Sequence, residues 1–127
     1  MARKKSNDPL DLTHTEEMVL YAVRDRERYG LAIIEAIMKA SNGKRKIGFS
    51  SLYPTLKKLE DKGFVTSRWG DETPEKVTGA RRRYYVIADE GIRALNEREF
   101  FLNGLTSVMA IERFRDESEY KPTRKIS

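Results

Sequence analysis

The chain has 127 residues, with 25 Lys and Arg against 20 Asp and Glu and no cysteine. That length fits one small domain, and the lack of cysteine removes disulfide frameworks, thiolate zinc sites and cysteine nucleophiles, which points to a cytoplasmic protein. The longest apolar run, residues 18–23, is far short of the roughly 20 residues that cross a bilayer, so no membrane partner is expected. The basic N-terminus leads into a polar Ser6-Asn7-Asp8 rather than the apolar stretch of a secretory signal.

The formal net charge of +5 makes polyanions the first partner class. Its distribution is more telling. Residues 31–69 hold eight basic side chains (Lys39, Lys44, Arg45, Lys46, Lys57, Lys58, Lys62 and Arg68) against three acidic ones (Glu35, Glu60 and Asp61). Residues 91–116 balance, and a second basic cluster stands at Arg81, Arg82 and Arg83.

In chain order, residues 1–8 lack periodicity and read as a disordered basic arm. A Thr13-x-x-Glu16 capping box then opens a first helix carrying Met18, Val19, Ala22 and Val23. Asp25 to Arg28 is a charged break, after which Tyr29-Gly30 leads into a second helix with Leu31, Ile33, Ile34, Ile37 and Met38 as its apolar stripe. Ser41-Asn42-Gly43 suits a left-handed cap, and residues 44–49 form a short basic connection. In the third helix, Ser51 is the expected N-cap. Pro54 then falls at the third helical position, where its missing N–H breaks no intrahelical bond. Leu52, Leu56 and Leu59 form its core stripe, and Gly63 stops it.

Residues 64–69 and 84–87 are β-prone, and residues 70–80, with two Gly and one Pro, read as a hairpin loop between them. The register is open, with either Val65, Ser67 and Trp69 or their neighbours inward. Trp69 is read as a packed strand aromatic, and alternation buries one of Tyr84 and Tyr85. Asp89 and Glu90 then open a final helix reaching about Arg115, a span of about 40 Å at 1.5 Å per residue. Leu95, Leu102, Leu105 and Met109 make one stripe, and Phe101, Val108, Ile111 and Phe114 an adjacent one. A helix apolar on two sides is buried on two sides, one face on its own domain and the other on a second subunit. Phe100 and Phe101 then belong to a dimer core or line a cavity between subunits.

This order is that of a winged helix-turn-helix, mainly α with a small β-hairpin, whose third helix enters a DNA major groove. The expected organisation is a disordered arm at 1–8, a winged-helix DNA-binding domain at 9–90, a C-terminal dimerisation helix at 91–116 and a flexible tail at 117–127. Ser50 and Ser51 at the helix start are placed to meet phosphates, with Tyr53, Pro54, Lys57 and Lys58 on the reading face. Arg81, Arg82 and Arg83 lie where the hairpin returns and form the expected phosphate clamp, with Lys57 and Arg82 on one side of the molecule. Leu95, Phe101, Leu102, Leu105, Val108, Met109 and Ile111 are the expected dimer interface.

At these residues the sequence resembles the PadR family of transcriptional regulators, over residues 12 to about 105. Tyr29-Gly30-Leu31 is similar to the family's glycine-centred start of the second helix. Ser51-Leu-Tyr-Pro-Thr-Leu-Lys-Lys-Leu-Glu-Asp-Lys-Gly63 with the following Phe64-Val-Thr-Ser-Arg-Trp69 resembles its recognition helix and first wing strand, and Gly79-Ala-Arg-Arg-Arg-Tyr-Tyr85 its arginine-rich return strand. The resemblance implies a dimeric binder of double-stranded DNA, usually a repressor, joined through its C-terminal helices. In many members a small-molecule effector is a further partner. A single C-terminal helix matches the short subgroup. Leu31-Ala32 departs from the aromatic-acidic pair often found there, and the loop carries Asp71, Glu72 and Glu75, which phosphate would repel.

The first expectation is therefore a homodimeric, sequence-specific DNA-binding regulator. Its operator is an inverted repeat with half-sites about 34 Å apart. The rival is a winged-helix protein-interaction module without a DNA role, favoured by the acidic loop and Leu31-Ala32. An enzyme has little behind it: there is no Gly-rich phosphate loop, no nucleophile elbow, no zinc-binding His-x-x-x-His and only the lone His14. No cofactor or metal is expected.

Overall fold

The computed structural model describes residues 7–71 and 81–119, with side chains through residue 108 and at residue 112. In chain order it has a 3-10 turn at Pro9–Asp11, helix α1 at His14–Ala22, the short strand β1 at Arg28–Tyr29 and helix α2 at Gly30–Ala40. Helix α3 at Phe49–Asp61, strands β2 at Val65–Trp69 and β3 at Arg83–Ile87, and helix α4 at Asp89–Glu119 follow. Arg3-Lys4-Lys5, the connection at 72–80 with Glu72 and Glu75, the tail from 120, and the side chains of Met109 and Ile111 lie outside the described residues.

The capping box is formed in both directions. Thr13 Oγ1 accepts from the Glu16 N–H at 3.0 Å, and Glu16 Oε1 accepts from the Thr13 N–H at 2.8 Å, so two donors that the helix start leaves without intrahelical partners are satisfied. Helix α2 ends through Asn42 and Gly43, both at positive φ, with the Gly43 N–H donating to the Met38 carbonyl at 2.8 Å. Asp8, assigned to the arm for want of periodicity, instead caps the 3-10 turn by accepting from the Leu10 N–H at 2.9 Å. The turn is held on α4 by Arg98, which donates to the Pro9 carbonyl at 3.2 Å.

The sheet is antiparallel in the order β1-β3-β2. Strand β1 takes Arg28 from the end of the stretch read as a charged break and Tyr29 from the lead into the second helix. Two residues carry no periodicity, and their pairing with β3, Arg28 opposite Tyr85 and Tyr29 opposite Tyr84, is contributed from far along the chain. Val65 pairs with Ile87, Ser67 with Tyr85 and Trp69 with Arg83, which settles the register. Val65, Tyr85 and Ile87 are buried against the helices, so these three pairs form the inner face, and Tyr84 with Tyr29 lies on the outer one.

The core joins Val19, Leu20, Ile33, Leu52, Leu56 and Leu59 to Val65 and Leu95. Helix α4 docks by its first turns. A Cβ at Gly91 would collide with the Phe64 carbonyl oxygen, so only glycine lets the helix lie this close to the start of β2. Leu95, expected at the dimer interface, is completely buried in the protomer's own core and is not available to a partner. Its neighbours Arg98 and Glu99 pair with Glu17 and Arg24 of the α1 region.

Past this point the apolar side chains of α4 are largely left open by the described residues. Phe100, Phe101, Leu102, Leu105 and Val108 are all between 43% and 80% exposed, and Phe100 and Phe101 border a groove with Leu10, Asn96 and Glu97. No helix among the described residues is long and apolar enough to cross a membrane. The architecture is mainly α with a small hairpin, a winged helix followed by one long helix.

Candidate nucleic-acid interface

Helix α3 begins earlier than its serine pair suggests. Gly48 is extended (φ −93°, ψ 168°), and its carbonyl accepts from the N–H groups of Ser51 at 3.1 Å and Leu52 at 2.9 Å, which makes it the N-cap. Ser51 is therefore inside the helix, and Pro54 sits at the sixth position rather than the third, with no N–H to donate to the Ser50 carbonyl. Next to it the Thr55 hydroxyl donates to the Ser51 carbonyl at 2.8 Å. The earlier start also brings Phe49 into the helix, where its ring stacks on Tyr53 with centroids 5.7 Å apart. A glycine N-cap leaves no side-chain signature, so the sequence reading puts Phe49 in the connection, although its place one turn before Tyr53 is the available signal.

Around α3, at about 100° per residue, Leu52, Leu56 and Leu59 point into the core, each no more than 1% exposed. The opposite surface carries Ser50, Ser51, Tyr53, Pro54, Lys57 and Lys58, all exposed. The Tyr53 ring leans over the start of α2, with its hydroxyl above Gly30. Lys57 lies 3.8 Å from Asp61, an exposed pair that salt screens and that holds the lysine weakly. At the end of α3 the Lys62 ammonium meets Glu16 of α1 at 3.1 Å, with both side chains at most 10% exposed. Burial raises the Glu16 pKa. The Thr13 N–H, the Lys62 ammonium and the Thr13 hydroxyl outweigh it and hold the carboxyl below the ordinary value.

The arginine triplet is not one clamp. Only Arg83 is in β3, with Arg81 and Arg82 leading into it, and each member has its own partner within the chain. Arg81 closes the base of the hairpin, donating twice to the Gly70 carbonyl at 2.8 and 3.2 Å. Arg82 lies over the Tyr29 ring at 4.5 Å, on the outer face turned away from α3, so it does not share the α3 side with Lys57. Arg83 is on the inner face. It donates to Ser67 Oγ at 2.8 and 3.1 Å, approaches Glu60 of α3 at 3.8 Å and lies over the Trp69 ring at 5.1 Å. Ser67 in turn donates to Glu60 at 2.6 Å, so β2, β3 and α3 are joined through one serine hydroxyl.

Trp69 is not the packed aromatic the alternation suggested: it is 49% exposed at the outer end of β2, beyond the reach of the core. On the outer face Arg68 lies over Tyr84 and forks onto Glu27 at 2.5 and 2.8 Å. That hydrogen-bonded pair pushes the Glu27 pKa down and the Arg68 pKa up. Burial raises the Tyr85 phenol, which stays neutral beneath the hairpin. His14 is exposed in the first turn of α1.

The family model of the transcriptional regulator PadR-like family matches residues 19–97. A transcriptional regulator from Clostridium thermocellum superposes with a TM-score of 0.62 at 25% identity, over 76% of this chain and 90% of that one. A PadR family transcriptional regulator from Eggerthella lenta superposes with a TM-score of 0.60 at 29% identity, over 76% of this chain and 78% of that one. Bacillus subtilis PadR, solved in complex with operator DNA, superposes with a TM-score of 0.57 at 26% identity over 67% of this chain. This chain covers 46% of that regulator's length. With the match running from α1 into α4, the chain belongs to the PadR-like family of transcriptional regulators.

Proposed function

We propose that the chain is a homodimeric, sequence-specific DNA-binding regulator that acts as a repressor at an inverted-repeat operator. The observation that carries this reading is the division of α3 into a leucine face sealed in the core and an opposite face of serine, tyrosine and lysine open to solvent. Such a helix is rigidly backed and presents hydroxyl, phenol and ammonium groups together, the set that meets base edges and phosphates in a major groove.

The split of the arginines fits a hairpin entering a groove, because its two faces then turn toward two different strands. Arg82 on the outer face serves one phosphate row, while Arg83 on the inner face is held by Ser67 and Glu60 and braces the hairpin against α3. The apolar residues of α4 past Arg98 supply the dimer contact, which sets two copies of α3 about one helical turn of DNA apart. Bound there, the dimer covers DNA that the transcription machinery needs, and this is the physical basis of repression.

Selection of bound sequences from a random duplex pool by the full chain tests the reading. The expected product is an enriched palindrome with half-sites one turn apart. Retention of duplex without any sequence preference, or no retention at low salt, favours the protein-interaction module instead.

A further inference from the structure

Trp69 is the only tryptophan of the chain and is half exposed, although Val65 and Ser67 of the same strand are turned to the same side and covered or bonded. A large aromatic left open at the end of a strand is unusual enough to need a reason. The ring is not loosely held. The Arg83 guanidinium lies over it, and that guanidinium is fixed by the Ser67 hydroxyl, which Glu60 of α3 receives. Just beyond it the hairpin is closed by the Gly70 N–H donating to the Arg82 carbonyl at 2.7 Å and by Arg81 on the Gly70 carbonyl. Trp69 is thus an aromatic plate on a rigid frame, in the corner between α3 and the inner face of the hairpin.

The one cation on the Trp69 ring is already engaged: Arg83 stands 3.8 Å from Glu60 and is hydrogen-bonded to Ser67, while Asp71, also exposed, follows two residues after Trp69. Non-specific attraction to phosphate is therefore weak here, and what the corner offers is a π-face and a single N–H donor, the indole Nε1–H. A helix in a major groove with a hairpin in the next groove has one sugar-phosphate strand passing between them. That strand presents the complementary set, a deoxyribose with an apolar face and a phosphate that accepts hydrogen bonds.

We propose that Trp69, held by Arg83, is a seat for the DNA backbone strand that crosses between α3 and the hairpin, with the indole face on a deoxyribose and Nε1–H donated to a phosphate oxygen. This rests on the DNA-binding reading above and adds to it a contact that is neither base readout nor charge neutralisation. It continues the exposed face of α3 through the Glu60, Ser67 and Arg83 chain, which makes DNA rather than an unrelated protein the occupant.

The indole is its own probe. The full chain is titrated with a fluorescein-labelled duplex carrying the selected site, anisotropy reporting binding, and with the same unlabelled duplex while acrylamide quenches the Trp69 emission. Saturation is expected to cut the quenching severalfold. Trp69→Ala is expected to weaken binding about tenfold with the slope of log K against log salt unchanged. Trp69→Phe, which keeps a ring and preserves the fold if alanine does not, is expected to lose less. Unchanged quenching at saturating duplex overturns the seat while leaving DNA binding intact. Flat anisotropy with every duplex, selected or mixed-sequence, overturns both. Shielding that grows with protein concentration in the absence of DNA assigns Trp69 to a second copy and overturns the proposal.

Discussion

Gly30 and Tyr53 interlock: a Cβ placed on the glycine would overlap the tyrosine hydroxyl and stand 3.0 Å from its Cζ, so the Tyr53 ring of α3 lies where it does because α2 starts without a side chain. Gly30→Ala is expected to lift Tyr53 off α2 while the core beneath is kept. Operator affinity falls about tenfold, the order of one well-placed contact. The melting temperature changes little, because the displaced ring is already 45% exposed. Duplex anisotropy and a thermal melt on the same variant separate the two effects.

The Glu16 and Lys62 pair ties the end of α3 to the start of α1. Lys62→Ala leaves a carboxylate buried without its counter-ion, for an expected loss of about 3 kcal/mol in urea unfolding, and Glu16→Leu combined with Lys62→Met restores most of it. The pH dependence has a definite sign. Since the folded state holds the Glu16 carboxyl below its ordinary value, the pair adds stability above the unfolded pKa and loses it as the pH falls through the folded one. The urea midpoint of the wild type is expected to drop between about pH 5 and pH 3, and to drop less steeply in Glu16→Gln.

Lys57→Ala and Arg82→Ala are each expected to reduce the steepness of log K against log salt by about 1, with little change in preferred sequence, because the proposed function assigns each one phosphate contact. Arg81→Ala provides the contrast. Its guanidinium is spent on the Gly70 carbonyl, so its loss loosens the hairpin and lowers affinity at every salt concentration without changing the slope. Anisotropy titrations across a salt series read all three.

Replacing Leu102 or Leu105 by Glu puts a charge on the part of α4 that the described residues leave exposed. Sedimentation velocity at micromolar concentration is expected to show a monomer that is still folded, with operator affinity reduced at least about a hundredfold once two half-sites no longer bind together. The same substitution at Leu95 is expected to unfold the domain, since that residue is completely buried.

What the sequence determined by itself is what short-range rules govern. The Thr13 and Glu16 capping box, the left-handed turn at Asn42 and Gly43, the buried Leu52, Leu56 and Leu59 stripe and the placement of Tyr53, Lys57 and Lys58 on the far side of the helix all follow from spacings of a few residues, and each is present in the fold. Only the tertiary structure decided the rest. The N-cap moved to Gly48 because a glycine caps by conformation and leaves no side chain to recognise. Leu95 and Leu105 carry the same side chain on one helix, yet the first is sealed by the close approach of Gly91 to Phe64 and the second is open. Three consecutive arginines look like one patch until pairing with a strand more than ten residues away sends them to different faces and gives each a different partner. Local spacing sets which side of an element is apolar; what that side meets is set by chain segments too distant for any local pattern to encode.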